Sequence, residues 1–265
     1  MEKKLYLSKN ILGIIPARGG SKGIKNKNIK KINGKPLIFY TIKRAKKAEL
    51  ITDLIGSTDS KKIKKEFQKH KVEMPFDRPN NLAKDKSNIV DTLIYTLKKI
   101  EIIKKKRYDY ICLLQPTSPL RTKTEIDNSI KKIINKKGDS LISLCALDEP
   151  HPYKLMTLKN KKISFFIKNS KKIVNRQMMK KLYMPTGNIY IVSRKTLINK
   201  KTIHGKNYIF NIIKQKYFLN IDGNEDFLYT LTKDLKEQIE KNHALKNQKI
   251  ILKDSIESLI NNQEL

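Results

Sequence analysis

Residues 11–28, ILGIIPARGGSKGIKNKN, decide how the rest of the chain is read. ILGII is short, β-branched and closed by Pro16, so it reads as a buried strand and not as a helix. The strand breaks into a glycine-rich loop carrying Arg18, Lys22, Lys25 and Lys27. Gly19, Gly20 and Gly23 allow the backbone to approach a ligand closely and to adopt positive φ. Successive amides in such a loop form an anion-binding concavity, and the surrounding cations suit a polyphosphate. The loop lacks the G-x-x-x-x-G-K-[ST] spacing, and Arg18 stands where G-x-G-x-x-G needs its first glycine. Taken alone, the segment reads equally as a phosphate site or as a basic surface turn.

Working outward, apolar strand-like runs alternate with helix-like stretches. Pro36, a favourable first helical residue, introduces a helix over about 36–48. LIGSTDS (54–60) reads as a strand, with Ser60 as N-cap of KKIKKEFQKH. Residues 89–104 read as a helix. YDYICLLQPTSPLR (108–121) is a buried strand stopped by Pro116 and Pro119. A helix over 123–136, a strand at 140–147 (SLISLCAL), a strand at 188–193 (NIYIVS) and a helix at 224–240 follow. This alternation predicts an α/β fold, with a mainly parallel Rossmann-like sheet flanked by helices. Ligands of such sheets bind beyond the carboxyl ends of the strands. ARGGSKG, STDS and QPTSPLR follow three of the strands at that end. Their convergence on one crevice favours the phosphate site over the surface turn.

Residues 148–185 break the rhythm, and the segment predicts a small β-rich excursion of hairpins. SFFI and LYM would be awkward to leave exposed there, which suggests a dimerisation arm. The expected organisation is an α/β domain over 1–147 and 186–243, the excursion over 148–185, and an amphipathic or frayed tail over 244–265. At 265 residues the chain suffices for one large domain. The N-terminus does not resemble a secretory signal, and no apolar run reaches the roughly 18 residues that span a bilayer. Cys112 and Cys145 lie in apolar strands and read as buried free thiols. The four histidines show no metal-ligand spacing. A cytoplasmic protein is expected.

The formal net charge of +33 raises the possibility of nucleic-acid binding. Only seven of the 58 basic residues are arginine, however, and the lysines are spread along the chain as solvated helix faces. Lysine, isoleucine and asparagine share A/T-rich codons, so genome composition accounts for their abundance. A nucleic-acid partner is therefore not expected. Against that background arginine becomes informative, because its planar fork cannot be imitated by lysine. Arg18, Arg78, Arg121 and Arg176 lie in loop-like segments.

Taken in order, IIPARGGSKGIKNKN, STDS, FDRPNNLAKD, LLQPTSPLR, HPYK, NRQ, MPTGNIYIV and NIDGNEDF resemble the CMP-sialic acid synthetases. These N-acylneuraminate and nonulosonate cytidylyltransferases join CTP to a nine-carbon 2-keto sugar acid, releasing pyrophosphate. The resemblance covers residues 10–240. It implies that the anomeric hydroxyl attacks the α-phosphate in line, a reaction governed by positioning and charge neutralisation. It further implies that Arg18 and Lys22 hold the triphosphate together with Gly20 and Ser21, and that Lys27, Asn28, Asp85 and Ser87 flank the nucleotide. Arg78 would read cytosine, whose O2 and N3 are both acceptors. Gln115, Thr117, Ser118, Arg121, Thr186 and Tyr190 would meet the sugar acid. Lys154 and Arg176 would be supplied to the neighbouring subunit of a homodimer. Asp222 would bind Mg²⁺, with Mn²⁺ as a substitute and with help from Asn220 or Asp226. Arg18, Lys22 and Asp222 form the implied catalytic set. A role in lipopolysaccharide or capsule synthesis goes with the family.

Several positions depart from the family pattern. Asn220 stands where the first of two metal carboxylates is expected, and Thr186 stands where the family carries an asparagine. Asp85-Lys86-Ser87-Asn88 replaces D-T-A-S. Three other readings remain: a nucleotidyltransferase for a different sugar acid, a degenerate inactive member, and a non-catalytic polyanion-binding protein.

Overall fold

The structure is a computed structural model describing residues 6–21, 23–147, 151–168, 170, 175, 177, 179–213, 219–221, 223 and 226. Strand β1 (Ile11–Pro16) is buried on both faces, as its unbroken apolar run requires of a central parallel strand. Its side chains alternate between two cores. Ile11 and Ile15 face one core with Cys112, Ile189 and Ile191, while Leu12 and Ile14 face the other with Ile55, Ile111 and Val192. After a short hairpin, β2 (Lys31–Ile32) and β3 (Lys35–Pro36), the chain enters helix α1 (Leu37–Ala45). Strand β4 (Asp53–Ser57), helix α2 (Lys61–Lys69), helix α3 (Ile89–Lys104), strand β5 (Tyr110–Leu113) and helix α4 (Lys123–Asn135) follow. Both β4 and β5 pair parallel with β1.

The helices start where local chemistry specifies. The Asn88 side chain accepts from the Val90 amide ahead of α3. Thr122 and Glu125 form a reciprocal capping box ahead of α4. Ser60 occupies the N-cap position of α2, as expected, but makes no side-chain capping bond there. Helices α1, α2 and α4 contribute to the first core. Helix α3 and the short helix α5 (Arg194–Lys200) contribute to the second, giving three layers.

Strand β6 (Ser140–Leu147) matches its expected span, but the second half of the sheet differs from the reading of the sequence. Excursion residues β7 (Met156–Lys159) and β8 (Lys162–Phe165) form a separate antiparallel hairpin. Strand β9 (Leu182–Ser193) then runs twelve residues, beginning six before the expected 188 and four before the expected domain boundary at 186. It lies antiparallel between β5 and β6, with Leu147 paired to Leu182 at the base of the excursion. Strand β10 (Tyr208–Ile212), not anticipated, pairs parallel with β6 and completes the order β10-β6-β9-β5-β1-β4. Its sequence, YIFNI, carries a strand-like run that the reading passed over, although Tyr208, Phe210 and Ile212 are exposed at the sheet edge. The expected helix at 224–240 falls almost wholly outside the described residues, and the tail at 244–265 does so entirely. Among the described residues no helix is long and apolar enough to cross a membrane. Cys112 and Cys145 are buried thiols, as expected.

At the opposite end of the sheet from the crevice, Arg194 clamps Glu101 with Nε at 2.8 Å and Nη2 at 2.9 Å. Burial raises the Glu101 pKa, but the Arg194 bonds and charge, with the Tyr108 amide, outweigh it and hold the carboxyl below its ordinary value. A depressed folded-state value stabilises above the unfolded pKa of about 4.3 and stops doing so as pH falls through the folded one. Glu101→Gln is therefore expected to cost about 2 kcal/mol at pH 7. Thermal melts of both proteins should show that difference shrinking at about pH 3.

Candidate nucleotide and sugar site

A cleft of about 550 Å³ opens beyond the carboxyl ends of β1, β4 and β5. The loop after β1 supplies Arg18, Ser21, Lys27 and Asn28; the stretch between β4 and α3 supplies Arg78, Asp85 and Ser87; and the loop after β5 supplies Gln115 and Thr117. Asn220 closes the far wall. The first and third of the expected loops line the crevice, but STDS does not: Ser57 holds Arg78 and Asp59 holds the Gly19 amide, and the later stretch over 78–87 lines the cleft instead.

Small interactions hold the glycine-rich loop in shape. Ile24 is buried with Ile32, Leu37, Leu219 and Ile221, so the loop shares a miniature core with the β2–β3 hairpin and with the segment that reaches Asn220. Asn28 is buried and donates from Nδ2 to the Arg18 carbonyl at 3.0 Å. Lys27 Nζ donates to the Ile221 carbonyl at 2.8 Å, and the Ile221 amide donates to the Thr117 carbonyl at 2.9 Å. Those two bonds link the first loop, the third loop and the Asn220 segment. The Gly19 amide is held by Asp59 Oδ1 at 2.9 Å.

The two arginines of the nucleotide half are oriented differently. Arg18 is half-buried, and its Nη1 donates to Asp85 Oδ1 at 2.6 Å across the cleft mouth. Arg78 is buried, with its amide on the Thr58 carbonyl, Nε on Ser57 Oγ at 3.1 Å and Nη2 on the Ser57 carbonyl. Among the described residues Nη1 carries no hydrogen bond, which leaves it for a ligand. Burial, and to a smaller extent the Arg18 charge, pull its pKa down to about 10 against the opposing effect of Asp59, so it stays cationic at neutral pH.

The sugar-side candidates divide. Gln115 and Thr117 line the cleft, but Ser118, Arg121, Thr186 and Tyr190 do not. Ser118 is fully buried, and its Oγ has no hydrogen-bond partner among the described residues. Thr186 Oγ1 lies 2.8 Å from Ser143 Oγ and donates to the Ser143 carbonyl at 3.2 Å. Tyr190 packs part-buried against the α3 core. Arg121 is fully buried, with Nη2 on the Gln115 carbonyl at 2.8 Å, Nη1 on Thr41 Oγ1 at 3.3 Å and Nε on the Asn188 carbonyl. Gly20 is exposed beside the cleft, and Lys154 is exposed before β7. Lys22, Arg176 and Asp222 lie outside the described residues.

Lys84, Leu82, Ile89 and Thr92 also line the cleft. Lys84 stood in plain view in FDRPNNLAKD, but one lysine among so many carries no signal. Asp226 Oδ2 accepts from the Gly223 amide at 2.8 Å. Among the described residues no cluster of three or more His, Cys, Asp or Glu could hold a metal. A second concavity, of about 680 Å³, lies by Lys9, Arg107, Asp109 and Arg194 at the sheet's other end. Its charges are largely spent on one another, Lys9 on Asp109 and Arg194 on Glu101.

Gly187 adopts φ +72° where β9 passes the cleft, and a Cβ there would meet Gln115 Oε1 at 3.3 Å. Both the left-handed backbone and the crowding oppose a side chain. Gly187→Ala is expected to lower stability by about 1–2 kcal/mol and to displace Gln115. Its thermal melt and its sugar-acid KM check this, the KM being expected to rise severalfold.

Comparison with known proteins agrees with this geometry. The cytidylyltransferase family profile matches residues 12–258. The post-translational flagellin modification protein B of Campylobacter coli is 32% identical over 218 residues, 82% of this chain and 92% of that protein. The CMP-N,N'-diacetyllegionaminic acid synthase of Legionella pneumophila is 29% identical over 231 residues, 86% of this chain and 96% of that enzyme. Among solved structures, a CMP:2-keto-3-deoxy-manno-octonic acid synthetase complexed with CTP superposes with a TM-score of 0.63 at 15% identity. It covers 86% of this chain and all of that one, a likeness of fold.

Proposed function

The chain belongs to the cytidylyltransferase family, and from that premise we propose that it transfers CMP from CTP to the anomeric hydroxyl of a nonulosonic acid of the sialic or legionaminic type. The observation that carries this reading is the meeting of Arg18, Arg78, Gln115, Thr117 and Asn220 in one cleft at the carboxyl ends of the strands. Arg18, with Lys22, Lys27 and the loop amides, neutralises the triphosphate. Arg78 presents Nη1 to the acceptor edge of cytosine, and Asn28 and Ser87 border the nucleoside. Gln115 and Thr117 orient the sugar acid so that its anomeric oxygen faces the α-phosphorus. The new P–O bond forms as the bond from the α-phosphorus to the α–β bridging oxygen breaks; pyrophosphate leaves with the bond's electron pair, and the proton of the anomeric hydroxyl passes to water.

The donor set suits a Mg²⁺ ion (or Mn²⁺) held mainly by substrate phosphates: Asp222 as carboxylate, with Asn220 lining the cleft and Asp226 close by in sequence. When bound, the metal offsets charge on the leaving pyrophosphate. The β7–β8 hairpin carries exposed Met156, Leu158 and Ile163, with Phe166 just beyond it, which supports its use as a homodimer contact delivering Lys154 and Arg176 to the partner's site. A cytoplasmic supplier of activated sugar for surface glycans fits these properties.

Incubation of the protein with CTP, Mg²⁺ and a panel of sialic, legionaminic and pseudaminic acids tests the reading. Mass spectrometry is expected to find one CMP-sugar together with stoichiometric pyrophosphate. Intact CTP with every acid, from folded protein, would overturn it.

A further inference from the structure

Arg121 is the bulkiest fully buried side chain among the described residues, yet it makes no ion pair there. Glu125, the carboxylate that acts on it electrostatically, is spent on the helix cap with Thr122. Burying an arginine is costly unless its donors are used, and here every nitrogen of the fork is. The three acceptors lie on three separate elements: Thr41 on α1, Gln115 in the loop after β5, and Asn188 on β9.

Two of those elements face one spot. Gly187, next to Asn188, approaches so closely that a Cβ built on it would lie 3.3 Å from Gln115 Oε1 and 3.7 Å from Ser118 Oγ. Ser118 Oγ is buried there without a hydrogen-bond partner among the described residues, a polar group set beside the cleft wall. In the nucleotide half, Arg78 is braced apart from these contacts by Ser57 and Thr58, whereas the first loop, with Asn28 on the Arg18 carbonyl, is tied to the third through Lys27, Ile221 and Thr117.

We propose that Arg121 is a positioning residue for the sugar half of the site, acting through the Gln115 and Asn188 carbonyls and not by contact with the acid. The inference rests on the functional reading above and deepens it. Lysine keeps the charge but, as a point donor on a flexible stem, cannot bridge the three acceptors at once. The Gln115 loop and β9 then lose their mutual register while Arg78 keeps its own.

Arg121→Lys and the milder Thr41→Val test this in the full chain, with thermal melts to establish folding. Steady-state kinetics would give kcat and the sugar-acid KM, and calorimetry the CTP Kd. Arg121→Lys is expected to raise the sugar KM at least tenfold and to lower kcat, with the CTP Kd unchanged within twofold. Thr41→Val is expected to raise the sugar KM about threefold in the same selective way. A merely structural role would weaken CTP binding and sugar use together, and that result in either folded variant would overturn the proposal, as would no change in either. Should Arg121→Lys fail to fold, Thr41→Val decides by the same split. A wild-type protein inert with every acid overturns the functional reading and this one; an active wild type without the split overturns this one alone.

Discussion

Arg18→Ala is expected to lower kcat/KM for CTP about a thousandfold while leaving the melting temperature nearly unchanged. A cation about 4 Å from a phosphate charge contributes roughly 4 kcal/mol at an effective dielectric near 20, and each 1.4 kcal/mol of lost transition-state stabilisation is about tenfold in rate. The side chain is half-buried at the cleft mouth, where its partner is Asp85. Exposed ion pairs contribute little to stability, so the fold does not depend on it. Arg18→Lys should recover part of the loss, because a point charge survives but the fork does not. Steady-state kinetics with CTP varied, beside a thermal melt, checks both halves of the prediction.

Arg78→Lys should act differently, on the choice of base. The guanidinium is fixed by Ser57, and the backbone carrying it by the amide's bond to Thr58, so the N–H groups of Nη1 donate in fixed directions. Cytosine offers acceptors at O2 and N3, whereas uracil presents an N3–H donor that a fixed donor opposes. Sites built on such a hydrogen bond discriminate strongly because a mismatch leaves buried polar groups unpaired. Arg78→Lys is expected to weaken CTP binding about a hundredfold, some 2.7 kcal/mol, and to reduce the preference for CTP over UTP at least tenfold. It should also lower the melting temperature, since Ser57 Oγ and the Ser57 carbonyl lose their buried donors. Competition binding of the two nucleotides checks the prediction.

The first half of the fold was legible because its signals are local. ILGII is buried on both faces, the helices over Ile89–Lys104 and Lys123–Asn135 fall on the stretches read as helical, and polar loops follow strands that pair in parallel. The second half rests on distant pairing. Leu182 to Pro185 join the sheet only because β6 offers them partners, and no periodicity in LYMPTG announces an antiparallel strand. β10 does carry a short apolar run, YIFNI, but its place at the sheet edge depends on pairing with β6.

The site shows the same division. Arg18 and Gln115 lie in loops whose convergence the strand alternation announces, whereas Arg78 was placed only through the family resemblance. Arg121 could not, because an arginine in a proline-rich loop looks the same in sequence whether it meets a ligand or three carbonyl and hydroxyl oxygens beneath it. Thr186 and Ser118 are likewise buried by a strand and a turn whose positions depend on tertiary contacts.

Calorimetric titration of the protein with CTP, UTP, ATP and GTP, at two salt concentrations and with Arg18→Ala alongside, tests the central claim most directly. The account predicts a single site that prefers CTP at least tenfold and is lost in the variant. Equal affinity for all four nucleotides, steeply weakened by salt and indifferent to Arg18, would contradict it and identify the cleft as one patch of a polyanion-binding surface.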